Sequence, residues 1–166
     1  MENSSQIKAN MNNLQINTKK MNELLEDLVE KYCKNSASIF FSVDEKKGVF
    51  FSVNPKLSSA AQMSFRLSAD WDGIDACFGQ GTISELSFGG KQFTKYTGVE
   101  ELRQLCLSVV NGNFEETIWR HKEEILKVEG RFKIDNEIIR LNYTKLFFNP
   151  FLKKTKQYFK YISYKG

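Results

Sequence analysis

Apolar residues near the start of the chain recur at alternating steps of four and three, with one polar member. They are Ile7, Met11, Leu14, Thr18, Met21, Leu25, Leu28 and Tyr32. This spacing aligns the side chains on one face of a helix, so we predict a long helix over residues 5–33. Such a stripe packs either on the protein's own sheet, which we favour, or on a second copy in a coiled-coil homodimer.

Beyond residue 37 the apolar period changes to two, which is typical of strands. Two near copies of one pentapeptide flank a turn that contains Gly48, and this arrangement predicts a hairpin. The copies read Ile39-Phe40-Phe41-Ser42-Val43 and Val49-Phe50-Phe51-Ser52-Val53. In a symmetric register Phe41 faces Phe51 and Val43 faces Val49, and we expect both pairs on a buried face.

Further alternating stretches, separated by turn formers, predict more strands. They cover residues 62–69, 82–88, 91–96, 116–121, 125–134 and 137–143, and residues 70–81 are rich in turn formers. We expect the core to draw on the apolar sides of these elements. The predicted core residues are Phe41, Phe51, Phe65, Leu67, Leu105, Val109, Val128 and Phe132.

Two further helices are indicated by their capping residues. Thr97 and Glu100 form a capping box for a central helix, which Asn111-Gly112 should end. Asn149-Pro150 resembles an N-cap with the first helical residue and predicts a short C-terminal helix. The order of elements predicts an α+β fold, in which an antiparallel sheet of hairpins is joined by a long N-terminal, a central and a short C-terminal helix.

Length and composition fit one domain over residues 1–166, made of the helix 5–33, an α+β body 37–144 and a tail 145–166. With 166 residues, 41% of them hydrophobic, the chain can bury a core. No apolar run approaches the ~18–20 residues of a membrane helix, and the N-terminus lacks a signal-peptide pattern. Three scattered cysteines fit a reducing compartment, so we expect a cytoplasmic protein without a membrane span.

Charge is unevenly distributed along the chain. Residues 1–144 carry all 20 acidic residues and 18 of the 24 Lys and Arg, giving −2, whereas residues 145–166 carry six lysines and no acid, giving +6. In the tail these lysines alternate with aromatic residues. We favour a tail that docks its rings on the body, ahead of a protein-binding tail and ahead of one that binds nucleic acid or an anionic membrane.

If the tail binds nucleic acid, four of its lysines form the candidate surface, but the tail lacks the side chain best suited to recognise phosphate. Its basic residues are Lys153, Lys154, Lys156 and Lys160. The tail contains no arginine, and arginine is the preferred side chain for specific phosphate and base recognition.

Candidate catalytic groups are few. The single histidine, His121, lies among charged residues at a predicted strand end, and we interpret it as an exposed turn residue rather than a general base. Cys33 and Cys106 occupy apolar helical positions, which leaves Cys77 as the thiol in a turn-like setting. The sequence has no phosphate-binding loop, dinucleotide fingerprint or metal-ligand spacing. We therefore predict a non-enzymatic protein without catalytic residues, metal or cofactor.

The acidic segment around residues 70–75 does not match a calcium loop. An EF-hand counted from Asp70 requires Gly at position 6 and Glu at position 12, where this chain has Asp75 and Gly81. Aspartates that bond local backbone amides in a turn explain the segment better.

Two stretches resemble immunity proteins of bacterial polymorphic-toxin systems. They lie within residues 98–120, above all Leu105-Cys106-Leu107-Ser108-Val109-Val110-Asn111-Gly112-Asn113-Phe114-Glu115-Glu116, and in Val128-Glu129-Gly130-Arg131-Phe132. The resemblance covers about a quarter of the chain. It implies a non-catalytic bacterial protein that binds and neutralises a toxin. Because such proteins vary widely in fold, it implies no particular binding residues.

A basic toxin would favour an acidic, aromatic-bearing face on its inhibitor. Asp70, Trp71, Asp72 and Asp75 form the candidate partner surface, with Trp71 as its anchor. The plainer interpretation, which we favour for Trp71 alone, is a loop residue that covers the end of the sheet. The alternative function is a small nucleic-acid-associated protein that uses the basic aromatic tail.

Overall fold

The computed structural model describes residues 4–44, 48–68, 73–87, 99–144 and 153–165, with side chains described from residue 14 and, in the fifth strand, up to residue 83. These residues form two helices, α1 (Ser4–Tyr32) and α2 (Val99–Val110), and nine strands. The strands are β1 (Ala37–Asp44), β2 (Gly48–Pro55), β3 (Met63–Leu67), β4 (Gly73–Phe78), β5 (Thr82–Ser87), β6 (Phe114–His121), β7 (Glu124–Ile134), β8 (Glu137–Thr144) and β9 (Thr155–Lys160). The predicted α+β class is confirmed.

The long N-terminal helix is confirmed, and its stripe packs inside the same chain. Met21, Leu25 and Leu28 are buried, and α1 contacts α2, β1 and β3. Leu24 is buried beside them, so the stripe is wider than a coiled-coil seam and typical of a helix on a globular core. The buried members of the described stripe therefore pack into the protein's own core. The side chains of Ile7 and Met11 lie outside the described residues.

The first sheet is an antiparallel meander in the order β1-β2-β3-β4-β5. The predicted hairpin register is confirmed, since Phe41 lies opposite Phe51 and Val43 opposite Val49. The burial prediction for β1 is wrong: Phe41 and Val43 remain 48% and 64% exposed. In the described structure β1 is the terminal strand, so its side chains have a strand neighbour on one side only. The other seven predicted core residues are buried.

Strand β4 corrects the prediction of turns over residues 70–81. It pairs with β3 and β5 and directs Ile74, Ala76 and Phe78 into the core. Its sequence is short and includes Gly73 and Asp75, residue types that are depleted in strands. Pairing on both sides outweighs this weak local preference. The predicted strand over 91–96 and the cap Thr97 lie outside the described residues.

The second sheet has the order β8-β7-β6-β9, and β9 corrects the predicted C-terminal helix. Residues 155–160 pair with β6 along the sheet edge, and the proposed cap Asn149-Pro150 lies outside the described residues. A strand suits this segment because it separates Phe159, which packs against the core, from the exposed Lys156 and Lys160. A helix could not place every second residue on one face.

The segment that follows β9 docks on the body, as we favoured for the tail. Tyr164 is buried, and its hydroxyl donates to the carbonyl of Ala61 at 2.6 Å. Ser163 packs against Gly112, the residue that ends the turn after α2 with φ 72°. A Cβ on Gly112 would lie 2.5 Å from the backbone nitrogen of Ser163, so both its backbone angle and its neighbour require glycine.

The two sheets meet where β5 approaches β7 and β8. Gly130 allows this approach, because a Cβ there would lie 2.3 Å from the side chain of Thr82. Beside this contact a cluster of aromatic rings fills the space between the sheets, with centroids 4.6–6.3 Å apart. Its members are Phe78, Phe114, Phe132 and Tyr161.

Helices α1 and α2 lie against each other. Helix α1 also contacts β1 and β3, and helix α2 contacts β7. Among the described helices none is both long and apolar enough to span a membrane.

Candidate functional site

The outer face of the first sheet, opposite the core, carries a groove of about 560 Å³. The register aligns one residue from each strand in a row across it: Phe40, Ser52, Ser64, Cys77 and Ile83. Small side chains in the middle and large apolar ones at both ends shape the groove. Phe40 is 59% exposed and Ile83 46%, so apolar surface is open to a partner here.

An ion pair closes one side of this groove. Arg66 on β3 lies opposite Asp75 on β4, and its Nε donates to Asp75 Oδ2 at 2.7 Å. Asp75 therefore lies in a strand rather than in the expected turn, and its charge is balanced by Arg66. The other members of the candidate partner surface, Asp70, Trp71 and Asp72, lie outside the described residues.

Strand β1 carries exposed apolar side chains on both of its faces, of which only Phe40 lines the groove. The doublet Phe40-Phe41 places one ring on each face of the sheet, and Val43 follows on the face of Phe41. All three are at least 48% exposed. Contiguous exposed apolar surface of this kind is typical of interaction sites. The sequence analysis did not predict this exposed surface, because an alternating pattern identifies the apolar face of a strand without showing whether that face is covered.

The candidate catalytic groups are placed in settings that do not activate them. Burial raises the pKa of Cys33 to about 11 and also raises that of Cys106. In the groove, burial and the nearby charge of Glu116 raise the pKa of Cys77. All three are thiols rather than nucleophilic thiolates at neutral pH. His121 Nδ1 lies 2.9 Å from the carbonyl oxygen of Lys153, a bond in which the ring nitrogen donates.

A buried carboxylate links the two sheets. Glu116 on β6 is 1% exposed and accepts hydrogen bonds from the backbone N–H of Gln80 at 2.5 Å, from the hydroxyl of Thr82 at 3.0 Å and from the hydroxyl of Tyr161. Burial and then this bond raise the pKa of Tyr161. The three neutral donors come from the β4–β5 turn, β5 and the segment after β9, so we assign Glu116 a structural role. Among the described residues no group of three or more metal-ligating side chains occurs.

The outer face of the second sheet is basic. Three rows of outward residues cross all four strands: Arg140, Arg131, Glu115 and Lys160, then Asn142, Glu129, Thr117 and Tyr158, then Thr144, Lys127, Trp119 and Lys156. Beside the first row, Lys133 also points outward. Six cations against two carboxylates give this basic face a net charge of +4, equal to that of the whole chain.

Contacts within the basic face hold its side chains in place. The ammonium groups of Lys127 and Lys156 lie 4.7 and 5.5 Å from the ring centroid of Trp119. Arg131 donates to Glu129 at 2.7 Å and holds the pKa of that carboxyl below its usual value. A recess of about 380 Å³ opens at one end of the face. It is lined by Gly112, Asn113, Glu115, Arg131, Lys133, Ile138 and Lys160.

Only half of the predicted basic surface belongs to this face. Lys156 and Lys160 lie on it, whereas Lys153 and Lys154 precede β9. Sequence reasoning missed Arg131 and Arg140, which come from strands distant in sequence. One sequence signal for the basic face was present on the polar side of β7, where cations recur at every second residue and only Glu129 interrupts them.

Comparison of the chain with protein-family models, with curated proteins and with solved structures gave no match.

Proposed function

We propose that this protein is a non-catalytic binding protein that receives an extended segment of a protein partner along β1 and the adjoining groove. The observation that carries the proposal is the exposure of Phe40, Phe41 and Val43 on the terminal strand of the first sheet. Natural sheets usually protect their edges with charge, proline or a covering element. An edge that presents large apolar side chains on both faces is suited to strand addition.

The geometry specifies the chemistry of the incoming segment. A strand placed beside β1 would alternate its side chains between the two faces of the sheet. On the inner face it would contact Phe41 and Val43, and on the outer face Phe40 and the mouth of the groove. Because the Arg66–Asp75 pair is internally balanced, apolar side chains at alternating positions suit both faces better than charged ones.

The settings of the reactive groups support a binding role rather than catalysis. The three thiols have raised pKa values, and His121 is engaged by a backbone carbonyl. We accordingly propose the immunity role that the sequence resemblance implies, in which the chain binds and neutralises a bacterial toxin. We retain Asp70, Trp71, Asp72 and Asp75 as candidate partner residues, of which Asp75 lines the groove.

A growth-rescue experiment tests this function. Fragments of secreted proteins from the same genome are expressed inside bacteria, and those that stop growth are tested for relief by co-expression of this chain. We expect at least one fragment to be neutralised and to form a stoichiometric complex in size-exclusion chromatography. If no growth-inhibiting fragment is relieved, the immunity role is wrong.

A matched pair of variants tests the surface. Val43→Lys places a charge on the exposed edge of the first sheet, and Ile138→Lys places the same charge at a position of similar exposure, 61%, on the second. We expect Val43→Lys to abolish rescue and complex formation and Ile138→Lys to preserve both, with equal thermal stability of the two variants. Retention of full rescue by Val43→Lys would exclude β1 as the interface.

A further inference from the structure

We propose that the basic face of the second sheet is a separate binding site for single-stranded nucleic acid. Its cations come from three strands: Lys127, Arg131 and Lys133 on β7, Arg140 on β8, and Lys156 and Lys160 on β9. Because this face alone carries the net charge of the chain, the rest of the molecule is neutral on balance. A phosphate backbone is therefore attracted to this face.

The fold supplies the arginines that the tail lacks. Arg140 and Arg131 lie in the same cross-strand row as Lys160 of β9. Arg131 uses two of its donor nitrogens on Glu129, and a guanidinium has five N–H donors in all, so donors remain for a phosphate. The argument from sequence against phosphate recognition by an isolated tail does not apply to the assembled sheet.

Aromatic side chains lie among these cations. Trp119 lies in the row of Lys127 and Lys156, and Tyr158 is exposed in the row between Trp119 and Glu115. Aromatic rings beside a basic track are the usual means by which proteins bind single strands, because every base can stack on a ring. A base that stacks on Trp119 takes the place of one of the two ammonium groups over the indole, and that ammonium group can then contact the phosphate of the nucleotide.

The shape of the face favours a single strand over a duplex. Four strands at the usual spacing make a surface about 14 Å wide, whereas the major groove of B-DNA is about 12 Å wide and admits a helix or a two-stranded ribbon. A flexible single strand can instead follow the row from Arg140 to Lys160. Glu115 lies within this row, 4.0 Å from the ammonium group of Lys160, and is the one carboxylate that opposes binding there.

Fluorescence anisotropy with a labelled 20-nucleotide oligothymidine tests the site. The triple variant Lys133→Ala/Arg140→Ala/Lys160→Ala removes three cations of the basic face. The control Lys19→Ala/Lys34→Ala/Lys56→Ala removes three exposed cations elsewhere. For single strands the slope of log K against log salt changes by about 0.7 per phosphate contact. We therefore expect the first variant to flatten the slope by about 2, and the control to change affinity less than twofold. Equal losses in the two variants would overturn the proposal.

Two single substitutions separate charge from stacking. Glu115→Gln removes the opposing carboxylate, and we expect it to tighten binding severalfold at low salt. Trp119→Ala should weaken binding at least fivefold, and Trp119→Phe should restore most of the loss because it retains a ring. Thermal melting of each variant identifies any effect on folding. Unchanged affinity in both Glu115→Gln and a folded Trp119→Ala would exclude this face.

Other polyanions serve as competing ligands. A 20-base-pair duplex should bind more weakly per strand than the oligothymidine, and vesicles containing phosphatidylserine should not compete with it. Equal or tighter binding of the duplex, or binding of vesicles alone, would overturn the assignment to single strands. Because the site lies on the other sheet, Val43→Lys should leave oligothymidine binding unchanged. The failure of either proposal therefore leaves the other standing.

Discussion

The two sheets have the same kind of inner face and very different outer faces. Both direct alternating apolar side chains into one core, as Phe51 and Phe65 do in the first sheet and Val128 and Phe132 in the second. On the outside, the first sheet carries apolar rings around an ion pair that is internally balanced, whereas the second carries an excess of four positive charges. The core positions thus set the fold, and the outward positions distinguish two binding chemistries.

The difference originates in how each sequence alternates. In β1 and β2, doublets of phenylalanine place one ring inside and one outside, so apolar surface remains on both faces. From Leu126 to Ile134 in β7 the alternation is strict, and the outward positions Lys127, Glu129, Arg131 and Lys133 are all charged. The phenylalanine doublets therefore leave apolar rings on the outer face of the first sheet, and the alternation of β7 leaves charged side chains on the outer face of the second.

The largest effect on stability should come from two opposed phenylalanines on the inner face of the first sheet, one buried and one exposed. Phe41 and Phe51 lie opposite each other with ring centroids 5.1 Å apart, yet Phe51 is buried and Phe41 is half exposed. We expect Phe51→Ala to lower the free energy of unfolding by about 3–5 kcal/mol and Phe41→Ala by about 1 kcal/mol, measured by urea unfolding. Equal losses would show that the inner side of β1 is covered.

The next effect concerns the two neighbouring glutamates, one on each side of the second sheet. Glu116→Ala would leave buried donors of Gln80, Thr82 and Tyr161 without their acceptor, and we expect a loss of about 2–4 kcal/mol. Glu115→Ala, on the outer face, should cost less than about 1 kcal/mol. Chemical denaturation compares the two. A small loss for Glu116→Ala would mean that this carboxylate does not hold the sheets together.

A smaller effect should appear at high pH. The pKa of Cys33 is about 11 in the folded protein and lower in the unfolded chain, so between pH 9 and 11 the folded state holds more protons. Stability must then fall as pH rises through this window, and we expect Cys33 to contribute about 1–2 kcal/mol to the fall. Cys33→Ala should flatten the pH dependence of the unfolding free energy between pH 9 and 11. An unchanged slope would assign the fall to other groups, such as Tyr161 and Tyr164.

The smallest effect on stability should come from the ion pair on the outer face of the first sheet. The side chain of Arg66 is 48% exposed and that of Asp75 is 23% exposed, and ion pairs at a protein surface contribute about 0–1 kcal/mol. Asp75→Asn should therefore change the melting temperature little and yet weaken binding of a neutralised toxin fragment. A large loss of stability would give the pair a structural role, and unchanged binding would remove Asp75 from the partner surface.

Much of the fold follows from local sequence pattern. The 4-3 spacing of α1, the end of α2 at Asn111-Gly112, the hairpin register and the alternation of β7 are all statements about neighbours in sequence. Each is confirmed because the local preference and the tertiary environment agree. The predicted turn over residues 70–81 and the predicted C-terminal helix failed where they disagree. Both β4 and β9 are strands because a neighbouring strand completes their hydrogen bonds, and no local pattern reports that neighbour.

The candidate sites depended far more on tertiary structure. The sequence identified Asp75, Lys156 and Lys160, but it could not show that Asp75 is balanced by Arg66 or that Arg131 and Arg140 share a face with Lys160. The sequence alone determined which residues alternate and which charges the chain carries. Only the tertiary structure decided which strand lies at an edge and which rows cross a sheet, because those properties arise from pairing between segments far apart in the chain.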